Sequence, residues 1–385
     1  MTTLAERLAC EGTPLNTRCG RRGLCRGCQV DVVAGEFELS GQHHIVAHGD
    51  APVRVRACQV REVGVRLEVG IPATSRLDAH GQIHDAFTLY DFDVASRLHV
   101  DEFTLDGTGT PLVEQLASRV SQEGRPPLGG SSPASLARLA QLAADDQIVH
   151  VVTWNDVVST YFLHCGSCPI EPMAIAVDIG TTTVCAVLVD PKTGREVARA
   201  SRYNAQVAEG DDVATRIGVG STDEGLARLQ KLVIDDTVNV LIDEVCAGAG
   251  IDVERVAVVA VAGNTVMTHL LLGLPVEAMG RVPFMPTDLS PTPVWLGALG
   301  VRGCRDGVCV MVPGISAYVG GDLVAGMHVS GLMARDGIQV LLDMGTNGEM
   351  ILRSGDRVLC CATAAGPAFE GGGIECGIRA VAGAV

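Results

Sequence analysis

The sequence predicts a multidomain α/β protein, and three observations lead to this prediction. The chain has 385 residues, which is more than one average domain contains. A group of cysteines near the start precedes segments of alternating apolar and polar residues, which predict strands. An apolar run that ends in a polar turn at Asp178 recurs at Asp343, and this repeat predicts two similar lobes.

The composition argues against several classes of protein. The net charge of −16 disfavours nucleic acid or an anionic membrane as the main partner. The N-terminus lacks the apolar core of a signal peptide, and no run of about 18 apolar residues occurs, so no membrane span is expected. The 14 cysteines are partly clustered, which favours a metal centre in the reducing cytoplasm over disulfide bonds.

Residues 1–72 carry the first chemical signal. Three cysteines with C-x5-C-x2-C spacing lie on a glycine-rich segment and a fourth is distant, the four being Cys19, Cys25, Cys28 and Cys58. This arrangement predicts a β-grasp-like ferredoxin domain that holds a [2Fe–2S] cluster. The segments 29–33 and 63–69 alternate as strands do. Structural zinc, which usually takes two cysteine pairs, and unligated thiols are the alternatives.

The next part of the chain carries little chemistry. Residues 73–94 predict a linker, and residues 95–170 predict a small α/β middle domain. Its predicted elements are two amphipathic helices, a glycine-rich loop and a strand, at 112–120, 135–143, 124–130 and 148–153. Cys165 and Cys168 form a C-x2-C pair without a second pair nearby, so they are either plain thiols or a redox or metal site.

The turn after the first apolar run has the composition of a phosphate-binding hairpin. Its residues are Asp178, Gly180, Thr181, Thr182 and Thr183. An aspartate at a strand end can hold a hydrated Mg²⁺, the glycine lets backbone N–H groups approach a phosphate, and the hydroxyls add donors. A strand follows this turn, whereas a dinucleotide-binding glycine loop leads into a helix. The pattern is typical of actin-like ATPases and sugar kinases.

The repeat of this turn predicts the opposite wall of a nucleotide cleft. The second turn consists of Asp343, Gly345, Thr346, Asn347 and Gly348. Two such turns predict an RNase H-like ATPase domain of the actin and sugar-kinase superfamily over residues 172–385, with ATP and Mg²⁺ between its lobes. Two unrelated hairpins are the alternative. The only lysines, Lys192 and Lys231, lie outside any G-x4-G-K-[ST] loop, so phosphate binding must rest on backbone N–H groups, hydroxyls and a metal.

Helix and strand patterns occupy the region between the two turns. Residues 226–245 predict a helix, and residues 256–262 predict a buried strand. Residues 313–322 predict a helix that enters the cleft. Asp322 at its end is a candidate for positioning the attacking water, and a capping or packing aspartate is the alternative.

The position of the second turn predicts an incomplete second lobe. The chain ends at Val385, a short distance after Asp343. A lobe of this type needs a further sheet, helices and a loop for the adenine. We therefore expect either a chain that is truncated relative to longer proteins of its type or a nucleotide site without a complete adenosine pocket.

Several strings of residues resemble the reductive activators of corrinoid proteins. They are residues 178–183, 204–206, 211–213, 262–269, 313–326, 343–349 and 364–371. The resemblance extends over nearly the whole chain. It implies an N-terminal [2Fe–2S] domain, a linker, a small middle domain and a C-terminal actin-like ATPase domain.

The resemblance also implies a function in a methyltransferase system. Proteins of that family return an inactive Co(II) corrinoid to Co(I) with the help of ATP, and the cluster is the implied one-electron donor. The implied partners are a corrinoid protein and an upstream low-potential electron donor. A homodimer is one option for the assembly.

Three other functions are compatible with the residues. An ATP-dependent activator of another low-potential enzyme, such as a dehydratase, places one [4Fe–4S] cluster between two subunits, and the separate cysteine domain weighs against it. A small-molecule kinase with a redox domain needs a catalytic base in a polar pocket, and none stands out. A ferredoxin-like electron carrier with a vestigial nucleotide domain is the third alternative.

Overall fold

The computed structural model describes most of the chain. The described residues are 2–13, 15, 17, 21, 23, 27–64, 66–72, 75, 97–104, 109–145, 148–167 and 171–363. Cys19, Cys25, Cys168, most of the predicted linker and the string 364–371 lie outside this set. The described residues form a mixed α/β structure with four separate sheets. Within them, no helix is long and apolar enough to cross a membrane.

The N-terminal lobe consists of one helix packed on an antiparallel sheet. Its elements are α1 (Leu4–Cys10), β1 (Gln29–Leu39), β2 (Gln42–Val46), β3 (Val53–Arg56), β4 (Val60–Glu62) and β5 (Glu68–Gly70). The long strand β1 pairs with the other four. Val30, Val32 and Phe37 of this strand share a buried core with Leu4 and Leu8 of α1. Val30, Val32 and Ala34 alternate into the core as in a half-buried strand, and the alternation changes phase after Gly35, so that Phe37 is buried as well.

The strand predicted at 63–69 is only partly present. Strand β4 ends at Glu62 and β5 begins at Glu68, so the described residues 63, 64, 66 and 67 lie outside the strands. Gly64 has a φ of +76°, a left-handed conformation that interrupts the extended run. Leu67 is 3% exposed, and its N–H donates to the Glu62 carboxylate at 2.8 Å. The apolar alternation thus reflects a turn that places one leucine in the core.

A second sheet forms the middle of the chain. Its elements are β6 (Leu98–Thr104), α2 (Leu112–Gln122), β7 (Leu128–Ser131), α3 (Pro133–Asp145), β8 (Ile148–Asn155) and β9 (Thr160–Gly166), with the strand order β6-β8-β9-β7. The prediction of a loop at 124–130 is wrong for residues 128–130, because these belong to β7, which pairs in parallel with β9. A Cβ atom at Gly130 would lie 2.9 Å from Tyr161 Cδ1. The glycine therefore permits close packing within the sheet rather than a turn.

The largest sheet contains the first predicted hairpin. Its elements and helices are β10 (Met173–Ile179), β11 (Thr183–Asp190), β12 (Arg195–Tyr203), α4 (Val213–Gly220), α5 (Asp223–Val233), α6 (Asn239–Ala249), β13 (Val256–Gly263), α7 (Thr265–Leu272), β14 (Val294–Trp295), α8 (Leu296–Leu299) and β15 (Val308–Met311). The strand order is β12-β11-β10-β13-β15-β14. Strands β10, β13 and β15 run parallel, and helices α4 to α7 share one apolar core with them. This burial on both sides explains the continuous apolar run of β13.

The helix predicted at 226–245 is interrupted by a wider turn. Residues Ile234–Val238 are π-helical and join α5 to α6. Thr237 in this turn is fully buried; its hydroxyl donates to the Leu232 carbonyl and accepts from the Ala205 N–H, both at 3.0 Å. A buried polar side chain that competes for backbone partners accounts for the extra residue in the turn.

The second predicted hairpin lies in a sheet of three antiparallel strands. The elements are α9 (Gly321–Val329), β16 (Ile338–Met344), β17 (Gly348–Ser354) and β18 (Arg357–Thr363). Leu341 and Ile351 on one face pack against Leu323 of α9. The helix predicted at 313–322 is wrong for most of its length, because α9 begins at Gly321 and a Ser316–Val319 bridge precedes it.

A close backbone contact explains why this helix begins late. A Cβ atom at Gly320 would lie 2.4 Å from Asn264 Cα, at the end of β13. The segment before α9 therefore lies directly against the largest sheet, and the glycine is needed for that approach. As a result, Asp322 belongs to the first turn of α9 rather than to its end.

An aromatic cluster joins the middle sheet to the largest sheet. The ring centroid of Tyr161 lies 5.6 Å from that of Trp154 and 6.2 Å from that of Trp295. Ser132 Oγ also donates to Asp306 Oδ1 at 2.5 Å across the same junction. The two sheets thus share a small core in addition to their own.

Candidate functional site

The two predicted hairpins face each other across one cleft of about 250 Å³. Thr182 Oγ1 lies 2.8 Å from Thr346 Oγ1, so a hydroxyl pair joins the tips of the two turns. The predicted site residues that line the cleft are Asp178, Gly180, Thr181, Thr182, Thr183, Asp322, Asp343, Gly345, Thr346 and Asn347. Gly348 does not line it; this residue begins β17 and pairs with Met344. The structure therefore brings together ten of the eleven non-cysteine residues predicted for the site.

The first turn closes tightly because it contains a glycine. The Gly180 N–H donates to the Thr183 carbonyl at 3.0 Å, which closes the turn. A Cβ atom at Gly180 would lie 2.4 Å from that carbonyl oxygen, so any larger residue must open the turn. Asn264, at the N-cap of α7, donates to Thr181 Oγ1 at 3.2 Å. The hydroxyl of Thr181 is thus held by the neighbouring strand end.

The second turn repeats this closure in the other sheet. The Gly345 N–H donates to the Asn347 carbonyl at 2.9 Å. Asp343 comes near the end of β16 just as Asp178 comes near the end of β10. Each hairpin therefore offers one carboxylate and one short polar turn to the same space.

Four carboxylates give the cleft its negative charge. Burial raises the pKa of Asp178 to about 6, and the neighbouring Asp322 and Asp343 carboxylates add to the increase. Burial raises the pKa of Glu349 to about 7, again with a contribution from Asp343 and Asp322. Burial also raises the pKa of both of those aspartates. Mutual repulsion of this kind is relieved by a bound cation, so the cleft suits a divalent metal.

The carboxylates do not form a closed metal cage. Among the described residues, no three His, Cys, Asp or Glu side chains converge into a ready-made metal site. Mg²⁺ commonly retains several waters and uses one or two carboxylates together with substrate phosphates. Asp178 and Asp343, one from each hairpin, are the carboxylates that the cleft offers to such an ion.

Sequence reasoning missed three residues that build this cleft. Asn264 and Glu349 line it, although both lie within strings that pointed to the family. Arg216 of α4 is fully buried; its Nε donates to the Gly210 carbonyl at 2.9 Å and its guanidinium also donates to the Thr181 carbonyl. The available signal was that Arg216 is the only charged residue of a mainly apolar helix, because a buried cation needs fixed acceptors.

The hydroxyl pair between the turns gives a first testable prediction. Thr182→Val keeps the shape of the side chain and removes the bond to Thr346, so the free energy of unfolding should fall by about 1 kcal/mol. Chemical denaturation measures this change. Thr193→Val is the matched control, because Thr193 bonds Asp190 in an exposed turn and its loss should cost less than about 0.5 kcal/mol. Equal losses in both variants would contradict the assignment of a bridge.

Two of the four predicted cluster ligands lie together in the N-terminal lobe. Cys28 and Cys58 are 1% and 4% exposed. A hydrogen bond from the Cys28 thiol lowers the pKa of Cys58 to about 6, and the Gly23 N–H contributes in the same direction. Gly23 has a φ of +72°, and a Cβ atom there would lie 2.6 Å from Gln59 Cδ. The described part of the site is a buried thiol pair, one of them acidic, under a glycine turn.

The other cysteine of interest has different surroundings. Cys165 is fully buried in the middle sheet, and its sulfur lies 3.9 Å from the Ser135 carbonyl oxygen. Burial raises the pKa of this thiol to about 11, so it stays protonated near neutral pH. A protonated thiol is a weak nucleophile and a weak metal ligand.

Comparisons with known families match the second half of the chain. Residues 173–335 match the family profile described as the RACo middle region. Residues 337–385 match the profile described as the C-terminal domain of RACo, the ASKHA domain. The two profiles meet between α9 and β16, so they divide the two walls of the cleft between them.

Comparisons with individual proteins extend the similarity to the whole chain. The corrinoid activation enzyme RamQ of Eubacterium limosum is 25% identical over 393 residues, which cover 97% of this chain and 60% of the relative. The [Co(II) methylated amine-specific corrinoid protein] reductase of Methanosarcina barkeri is 30% identical over 147 residues, 35% of this chain and 27% of the relative. A solved structure, titled "Reductive activator for corrinoid,iron-sulfur protein", is 30% identical with a TM-score of 0.68 and covers 99% of this chain and 63% of its own. The chain thus spans about three fifths of the length of the two relatives that cover it almost fully.

Proposed function

Since the chain belongs to the family of the reductive activators of corrinoid proteins, we propose that it reduces a corrinoid protein of a methyltransferase system from Co(II) to Co(I) with the help of ATP. The observation that carries the proposal is the presence of two distinct sites in one chain. A buried thiol pair lies in the N-terminal lobe, and a carboxylate-lined cleft lies between two phosphate-type hairpins. The first site suits electron transfer, and the second suits a nucleotide.

The cysteine site is proposed to hold a [2Fe–2S] cluster. Cys28 and Cys58 fit this role because their side chains are hydrogen-bonded to each other and shielded from solvent, and because the pKa of Cys58 is lowered to about 6. Cys19 and Cys25 complete the proposed ligand set. When bound, such a cluster supplies one electron at a low potential, on the order of −400 mV for plant-type ferredoxins. Gly23 leaves room for the Gln59 side chain beside it, and its N–H donates to the Cys58 sulfur.

The cleft is proposed to hold Mg²⁺ and ATP. Asp178 and Asp343, one from each hairpin, are placed to bind the hydrated ion. The turns at Gly180 and Gly345, with the hydroxyls of Thr181 to Thr183 and Thr346, are placed to bind phosphate oxygens. Asp322 projects into the same space and is proposed to orient the attacking water. When bound, Mg-ATP supplies a phosphoanhydride whose binding and hydrolysis can bias the position of the two walls.

The combination of sites has a thermodynamic reason. Co(II)/Co(I) reduction in corrinoid proteins is expected to lie below the cluster potential, so the electron transfer is uphill. Each tenfold shift in a one-electron equilibrium requires about 59 mV, or about 1.4 kcal/mol. A nucleotide can contribute the free energy for this uphill electron transfer only by binding one protein conformation more tightly than another. The electron enters from an upstream low-potential donor in the cytoplasm and leaves on the cobalt of the partner protein.

One experiment tests the proposed function directly. The protein with a reconstituted and reduced cluster is mixed with a Co(II) corrinoid protein, with and without Mg-ATP, and the Co(I) absorption band is recorded. We expect the band to grow with Mg-ATP and to stay weak with Mg-ADP. Absence of the band under every condition would refute the proposal. Iron analysis of the same sample distinguishes the main alternative, because four irons per cluster would indicate an activator of another low-potential enzyme.

A further inference from the structure

Among the described residues, the N-terminal lobe contacts the turn 204–210, which follows strand β12 of the largest sheet. Thr17 Oγ1 donates to the Ala208 carbonyl at 2.5 Å. Arg21 lies 3.7 Å from the Glu209 carboxylate, which also pairs with Arg228 of α5 at 3.3 Å. Thr17 and Arg21 come from the same stretch of chain as the predicted cluster ligands. The contact therefore joins the cluster-bearing lobe to the nucleotide-bearing sheet.

The residues of this contact are buried or strained in ways that favour a specific interface. Thr17 is 3% exposed and Glu209 is 8% exposed, so both are covered in the assembled chain. Arg21 has a φ of +63°, a left-handed conformation that a residue with a side chain seldom adopts. Arg21 also pairs with Glu6 of α1 at 3.3 Å. Arg21 thus lies between two carboxylates, Glu6 in its own lobe and Glu209 on the other side of the interface.

The same turn is bonded on its other side to the first hairpin. The Asn204 N–H donates to the Thr182 carbonyl at 2.8 Å, and its side-chain amide donates to the Gly180 carbonyl at 3.0 Å. Asn204 is fully buried. Thr182 and Gly180 are also lining residues of the cleft. Asn204 therefore connects the turn directly to the first hairpin, so a movement of the Gly180 or Thr182 carbonyl alters a hydrogen bond of the turn.

Arg216 makes the turn rigid between these two contacts. Its guanidinium bonds the Gln206 side chain at 3.2 Å, the Gly210 carbonyl at 2.9 Å and the Thr181 carbonyl. The turn and the hairpin are consequently held by one buried cation. Next to the interface, a groove of about 550 Å³ is lined by residues of both lobes. A small contact of this kind can open and close without unfolding either lobe.

From this geometry we propose that the turn 204–210 is the docking site for the cluster-bearing lobe, and that nucleotide in the cleft tightens this docking. The nucleotide part rests on the proposed function, whereas the docking part does not. A nucleotide that engages the N–H and hydroxyl groups of the first hairpin fixes the carbonyls of Gly180 and Thr182, to which the turn is bonded. By linkage, docking must increase nucleotide affinity by the same factor as nucleotide increases docking.

Hydrogen exchange of the full chain, measured without nucleotide, tests the docking. In Arg21→Gln, amides of residues 205–210 should exchange about fivefold faster, the factor for a contact of about 1 kcal/mol. Glu209→Gln should also speed exchange there, and the double variant should exchange more slowly than the product of the two single effects predicts, because both changes remove the shared Arg21–Glu209 pair. Arg66→Gln is the control, since Arg66 pairs with Glu11 within the N-terminal lobe. Unchanged exchange at 205–210 in both single variants overturns the docking site.

The coupling to nucleotide is tested by adding Mg-ATP to the same samples. We expect slower exchange at residues 180–183 in every variant, and slower exchange at residues 11–17 only when Arg21 and Glu209 are intact. Protection of 180–183 without any change at 11–17 in the unaltered protein overturns the coupling. No protection at 180–183 refutes nucleotide binding itself, and with it the coupling, while the nucleotide-free result still decides the docking site.

Discussion

Replacing Cys58 with serine is expected to abolish the iron–sulfur cluster and, with it, the visible absorption and the electron transfer of the protein. A serine hydroxyl has a far higher pKa than a thiol and is a poor ligand for iron in this setting. Cys58 is also the more acidic member of the buried pair, since the Cys28 thiol lowers its pKa to about 6. Its loss removes the group most ready to bind as thiolate. Absorption and EPR spectra after reconstitution measure the cluster content.

A matched control separates ligand loss from general damage. Cys10 lies in the same lobe but is exposed at the end of α1, so Cys10→Ser should retain a full cluster. Cys58→Ser and the unaltered apoprotein should have the same far-UV circular dichroism, because the sheet around β1 does not depend on the thiol. A Cys58→Ser protein with an unchanged visible spectrum would show that Cys58 is not a ligand. It would then direct the search for the fourth ligand to another residue.

The second large effect is expected from Arg216→Met. Methionine has a similar length but cannot donate, so the carbonyls of Thr181 and Gly210 and the Gln206 side chain lose a charged donor inside the core. Leaving buried acceptors without partners costs about 1–3 kcal/mol each, and partial relaxation reduces the sum. We expect the free energy of unfolding of this part of the chain to fall by about 3 kcal/mol. The midpoint of thermal unfolding should fall by about 8 °C for a unit of this size.

The variant should also weaken nucleotide binding, because the Thr181 carbonyl defines the first hairpin. Calorimetric titration with Mg-ATP measures this effect, and thermal unfolding measures the stability. Arg199→Met is the control: Arg199 is partly exposed on β12 and pairs with Glu196, so its replacement should change stability by less than about 0.5 kcal/mol. Similar midpoints for the two variants would mean that the buried guanidinium contributes no more than a surface charge.

The parts of the fold that could be predicted are those in which local chemistry and burial agree. Asp178, Gly180 and the threonines predicted a turn with phosphate donors, and the turn closes around Gly180 because nothing larger fits. The apolar runs before both turns predicted strands, and β10 and β16 are those strands. Burial agrees only at β10, since Ile338, Val340, Leu342 and Met344 of β16 are exposed among the described residues. In the hairpin turn at 178–183, the residues that determine the backbone conformation also line the cleft.

The parts that could not be predicted depend on contacts between distant segments. Gly130 belongs to a glycine-rich segment that is typical of a loop. It nevertheless lies in strand β7, where Tyr161 packs over it. Helix α9 begins later in the chain than predicted because the backbone of Gly320 packs closely against that of Asn264, which is distant in sequence. Arg216 has the polarity of a surface residue, and only the fold supplies the carbonyls that make its burial favourable. Periodicity contains no information about such partners.

The aromatic cluster at the junction of the middle sheet and the largest sheet has a practical consequence for spectroscopy. Trp154 and Trp295 are the only two tryptophans in the chain, and both contact Tyr161 there. Tryptophan fluorescence therefore originates from this junction alone. In the apoprotein, a change in tryptophan emission on adding a nucleotide would indicate a change in the surroundings of this junction. Tryptophan fluorescence is thus an intrinsic probe of the junction between the middle sheet and the largest sheet.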